Sequence, residues 1–166
     1  MRSFGNVLAA ALAAALFSTA AWAGGNHKGG HYPFGEPGEE SEITRTVEVT
    51  ATDDMRLLMD IPSIRQGETI KFVVTNSGEI QHEFSVGDTG SQRAHANLMR
   101  RNPDMTHHDD PAAVTLEPGE TKTIVWTFSK PIQGHVVFAC QMPGHWDAGM
   151  HYKAKFERGS KPVPTT

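Results

Sequence analysis

The chain is 166 residues long, with a net charge of −4, nine histidines, seven methionines and a single cysteine. That length suits one domain with one core. The mild acidity, with no basic stripe and no aromatic-basic interleaving, excludes the footprint of a nucleic-acid binder. Rossmann, phosphate-loop and hydrolase nucleophile motifs are all absent from the sequence.

At the start of the chain, Arg2 is a short basic region, Val7 to Phe17 is apolar, and Ala21 and Ala23 form an A-x-A end. This is the pattern of a secretory signal cleaved after Ala23, and its apolar run falls short of the ~20 residues that span a bilayer. The expectation is a periplasmic protein with no membrane insertion after cleavage. Residues 24–41, rich in Gly, Pro, Glu and His and including His27 and His31, read as a flexible His-containing arm.

From residue 42 the texture becomes that of strands, and a domain is expected over 42–158. Ile43 to Thr50 alternates apolar and polar residues, Met55 to Ile61 is a weaker strand ended by Pro62, and Thr69 to Asn76 is a clear one after the Gln66-Gly67-Glu68 turn. Gln81 to Val86 follows the Ser77-Gly78 break. Ser91 to Arg101 is predicted as the one helix, stopped by Pro103. Ala113–Leu116, Thr121–Phe128, Gly134–Ala139 and His151–Phe156 complete the strands, and residues 159–166 form a polar tail. Short strands separated by Gly/Pro turns predict an all-β sandwich with a single helical, Met/His-rich insertion.

The lone Cys140 matters because exported proteins usually carry cysteines in disulfide pairs; a leftover thiol is bonded to another chain, reactive or engaged, and metal ligation would engage it. It opens the segment Cys140-Gln141-Met142-Pro143-Gly144-His145-Trp146-Asp147-Ala148-Gly149-Met150, between the apolar run Val136–Ala139 and the last strand. One thiolate, one imidazole and one thioether from this loop, with His82 from a distant strand, match a trigonal His₂Cys copper site with a weak axial Met. Cu(I) favours soft sulfur and Cu(II) favours nitrogen, so a mixed set serves both oxidation states.

The C-x₄-H-x₄-M pattern after an apolar strand resembles the copper loop of cupredoxins such as azurin, plastocyanin and auracyanin. Asn76 to Phe84 resembles their upstream histidine segment. The similarity runs from about Glu42 to Arg158, and the His-bearing arm and Met/His-rich insertion are most like the periplasmic copper-tolerance cupredoxins. The resemblance implies a Greek-key β-sandwich holding one type 1 copper. Cys140, His82 and His145 would be its equatorial ligands and Met150 its axial one, with the Gln81 carbonyl opposite. Pro143, lacking an N–H, limits hydrogen bonding around the loop. Many relatives carry Asn after the upstream histidine, where it ties to the Cys loop; Glu83 stands there instead.

His95 and Met99 lie four apart, on one helix face, and Met105, His107 and His108 follow. These five read either as an auxiliary copper set or as a solvated insertion. Met142, Pro143 and Trp146 read either as an apolar patch where a periplasmic redox partner docks or, for Trp146, as inward packing. The function implied by the resemblance is electron transfer linked to copper tolerance, through oxidation or sequestration of Cu(I). A non-redox copper chaperone or buffer is the alternative. Ala139 and Gln141 flank Cys140 where multicopper oxidases and nitrite reductases place a histidine, so an enzyme of that class is not expected.

Overall fold

The computed structural model describes residues 31–107 and 109–159. Two five-stranded sheets pack face to face. One runs in the order β1 (Glu36–Pro37), β8 (Thr121–Thr127), β5 (Thr69–Asn76), β2 (Arg45–Thr52), β3 (Arg56–Leu58). The other runs β4 (Ser63–Arg65), β10 (His151–Glu157), β9 (His135–Ala139), β6 (His82–Gly87), β7 (Ala113–Leu116). The β2–β5 and β4–β10 pairs are parallel and the others antiparallel. This is the expected β-sandwich, with α1 (Thr89–Arg101) as its insertion.

Alternation in the sequence decides which face each strand buries. Val47, Val49 and Ala51 of β2 and Ile70, Phe72 and Val74 of β5 point inward, with mostly polar neighbours such as Glu48, Thr50, Lys71 and Thr75 outward. Between the sheets, Phe72, Phe84 and Phe138 form an aromatic cluster with centroids 5.1 to 5.6 Å apart. β6 departs from alternation: all six of its positions are buried. Its inner face meets the core through Phe84, and α1 covers its outer face. Gln92 of α1 binds Ser85 and the Val137 carbonyl there. The Asp88 side chain caps the helix by accepting the Ser91 N–H at 2.7 Å.

Two sequence expectations need correction. The stretch from Tyr32 to residue 41 is not a loose arm. Phe34 stacks on Trp126 at 4.9 Å, Tyr32 meets the same ring edge-on, and β1 pairs with β8. Two aromatic anchors supply burial that a composition rich in Gly, Pro and Glu conceals. The Met55–Ile61 strand shrinks to β3, and β4 forms after Pro62; Met55 adopts a positive φ of 59° in the intervening turn. His27 lies outside the described residues.

Candidate metal centre

Register brings the loop ends together. Ala139 pairs with His151 across β9 and β10, so Cys140 and Met150 face one another at the end of the ladder. The Cys140 N–H donates to the Met150 carbonyl, and the Met150 N–H to the His145 carbonyl, both at 3.0 Å. Gly144 and Gly149, at φ +84° and +105°, provide the left-handed turns that let the eleven residues from Cys140 to Met150 close this tightly. β6 runs antiparallel beside β9, which carries His82 to the same end of the sandwich.

The result is a convergence of three donors: His82 Nδ1 lies 3.4 Å from His145 Nδ1, which lies 3.2 Å from Cys140 Sγ. His82, Cys140 and Met150 are fully buried, and His145 is half-buried. Asp53, in the turn after β2, fixes His82 from behind: its Oδ1 lies 3.0 Å from His82 Nε2, and its Oδ2 accepts the Glu79 N–H. With Nε2–H donated to Asp53, the Nδ1 lone pair points into the site. Nothing in the sequence spacing ties Asp53 to His82, and this residue was missed.

The electrostatics suit a metal. Burial pushes the Cys140 thiol up to about 12, so thiolate there needs a cationic partner in place of the proton. Burial, and then the neighbouring His82, push His145 down, which keeps its ring neutral with a lone pair to offer. A soft thiolate, two imidazoles within reach of it and a buried loop methionine fit copper. The Glu83 N–H donates to Cys140 Sγ at 3.3 Å. The Gln81 side chain turns away to Glu117, and Pro143 is exposed.

The insertion is placed differently from a simple Met/His cluster. His95 and His107 come together, but around the Glu83 carboxylate: Nε2 of His95 lies 2.8 Å from Oε1, and Nε2 of His107 3.2 Å from Oε2. Met99 is buried in the helix packing and Met105 is half-buried; His108 lies outside the described residues. Burial pushes the Glu83 carboxyl up, yet the two imidazoles outweigh it and hold the group at about 2. Trp146, half-buried, stacks on His151 at 4.3 Å. With Met142, Pro143, Arg93, Arg100 and Lys153 it lines a cleft between α1 and the Cys140–Met150 loop. Among the described residues no helix is long and apolar enough to cross a membrane.

No family model matches the chain. It is 45% identical over 148 residues to the copper-resistant cuproprotein CopI of Rubrivivax gelatinosus, covering 82% of this chain and 88% of that protein. It is 37% identical over 118 residues to CopI of Vibrio cholerae serotype O1 (70% and 68% covered), and 32% identical over 145 residues to CopI of Pseudomonas aeruginosa (70% and 78% covered). Among solved structures, dithionite-reduced auracyanin from Roseiflexus castenholzii superposes with a TM-score of 0.53 at 22% identity, over 71% of this chain and 99% of that one. Auracyanin B gives 0.53 at 21%, over 78% and 99%. Fold and sequence therefore agree, and the chain belongs to the CopI family of copper-resistant cuproproteins, built on the cupredoxin sandwich.

Proposed function

We propose that this chain is an exported type 1 copper protein whose ligands are His82, Cys140, His145 and Met150, and that it transfers electrons in support of copper tolerance. The observation that carries the reading is the convergence of His82 Nδ1, His145 Nδ1 and Cys140 Sγ at the mouth of a rigid sandwich. Bound copper supplies a one-electron couple. The protein's part is to hold thiolate and imidazoles in one geometry through both oxidation states, which the β9–β10 ladder and the Asp53–His82 contact favour. The half-buried His145 is the edge nearest solvent. The neighbouring cleft, with Met142, Pro143 and Trp146 among basic side chains, suits docking of a periplasmic redox partner.

The alternative, a chaperone or buffer that hands copper on, is less well supported, because three of the four ligands are fully buried. A site that exchanges its cargo gains from accessible ligands. The periplasmic location rests on the signal-like residues 1–23, and oxidation or sequestration of excess Cu(I) is the tolerance role consistent with this centre.

Addition of Cu(II) to the mature protein is expected to give an intense thiolate-to-copper absorption band, lost in Cys140→Ser. A colourless adduct in the unsubstituted protein would end the type 1 reading. Reversible reduction with retention of the metal separates electron carrier from chaperone.

A further inference from the structure

Glu83, His95 and His107 form a second constellation that the Cys140 centre does not use. They come from three different elements: β6, α1 and the segment before β7. Glu83 is held by the β6–β7 ladder opposite Thr115, and the Thr115 hydroxyl accepts the His107 backbone N–H at 2.9 Å. The ligand-capable atoms all lie within 4.8 Å of one another, and the two imidazole rings sit 4.8 Å apart. The Glu83 carboxylate and the His107 ring are all but inaccessible, at 1% and 2% exposure, while His95 keeps 14%.

A purely structural clasp would leave each polar atom with an aligned hydrogen bond. That is not the case here. Glu83 Oε2 and His107 Nε2 are buried and meet at 3.2 Å as an ion pair, without the alignment of a good hydrogen bond. Buried polar groups left in that state are rare and costly. The ligand-capable atoms of the three side chains lie within 4.8 Å of one another, close enough for a single ion to bridge them. Two imidazole nitrogens and a carboxylate, with no sulfur, suit a borderline divalent ion. Among the first-row metals such a set binds Cu(II) most strongly.

We propose that Glu83, His95 and His107 bind a second copper ion, as Cu(II), distinct from the ion at Cys140. His95, as the one partly exposed ligand, marks its point of entry. The two centres are joined through a single dipeptide: His82 belongs to the first, Glu83 to the second, and the Glu83 N–H reaches Cys140 Sγ. Because the second set contains no thiolate, its ion gives an ordinary, weakly coloured cupric signal.

The test titrates Cu(II) into mature protein carrying His27→Ala and His31→Ala, which removes the arm histidines as competing ligands. Bound metal and EPR are read after desalting. Two ions per chain are expected, one with the thiolate band and one with an ordinary cupric spectrum. Adding His95→Ala and His107→Ala should remove the ordinary signal and leave the thiolate band, which also reports that the variant is folded. Cys140→Ser should do the reverse, so loss of the thiolate reading alone does not touch this site. Glu83→Gln, nearly isosteric, should weaken the second ion about tenfold or more. A single ion in the unsubstituted ligand set, or an ordinary signal that survives H95A/H107A, overturns the proposal. So does equimolar Zn(II) holding the site against Cu(II).

Discussion

Asp53 Oδ1 and His82 Nε2 lie 3.0 Å apart, across 29 positions of sequence, and this contact sets which nitrogen of His82 faces the metal centre. The Glu79 N–H pins the other carboxylate oxygen at 2.7 Å, so Asp53 is itself held in place. Removing such a carboxylate frees the imidazole to rotate and to change tautomer. Asp53→Ala is expected to lower copper affinity at the Cys140 site by about 10- to 100-fold. Gly78→Ala should do the same indirectly, because a Cβ at Gly78 would collide with the Asp53 carboxylate. Competition against a chelator of known affinity measures both; wild-type affinity in D53A would show that His82 is oriented by packing alone.

Met150 is fully buried beside the Cys140 loop end, and its role is separable from its volume. Met150→Leu keeps the volume and should cost less than about 1.5 kcal/mol. It removes the proposed axial thioether and is expected to raise the reduction potential, since Cu(II) loses more from a missing donor than Cu(I). Met150→Gln offers a harder oxygen and is expected to lower it. Redox titration followed at the thiolate band gives both signs; equal potentials in all three proteins would remove Met150 from the ligand set.

Gln92 fastens α1 to the sheet. Its Nε2 donates to the Ser85 carbonyl and to the Val137 carbonyl at 3.1 Å, and its Oε1 accepts from Gln141 at 2.9 Å. Gln92→Ala strands buried acceptors on two strands, at a cost of about 1–3 kcal/mol for each group left unsatisfied. A lower midpoint in urea is expected, together with faster amide exchange in α1 than in β5. A midpoint equal to wild type would mean that water replaces the amide.

Burial, with the hydrogen bond and charge of Asp110, raises the Tyr32 phenol above its ordinary 10.0. The folded state therefore keeps a proton that the unfolded chain loses above that value. Stability from this group is complete below pH 10 and declines as pH rises beyond it. Chemical denaturation at about pH 9 and about pH 11 should show a larger loss for wild type than for Tyr32→Phe, which has no proton to lose. Parallel losses in the two proteins would place the alkaline sensitivity elsewhere.

Much of this protein is written locally. The alternation in β2, β5 and β8 marks inner and outer faces without reference to any partner, because successive side chains on a strand must point oppositely. The order Cys140, His145, Met150 in one loop names three donors, because a hairpin connection brings its own ends together. The β-sandwich and the histidine-bearing helix are legible for the same reason: short-range pattern determines them.

What required the tertiary structure was the meaning of polar residues whose partners are remote in sequence. Asp53 looks like any turn aspartate until β2 and β6 are placed in opposite sheets and their ends meet. Tyr32 and Phe34 look like part of a loose arm until Trp126 lies beneath them. Glu83 shows the difference most clearly. In the sequence it is the residue after His82, standing where many relatives carry Asn, yet α1 folds over that face of β6 and leaves the carboxylate fully buried between two histidines. By itself the sequence determined most of the strands, the helix and the candidate ligands that share a loop. Only the packing of an insertion onto a sheet decided that Glu83 is a buried charge, and a buried charge must find its counter-charge in three dimensions.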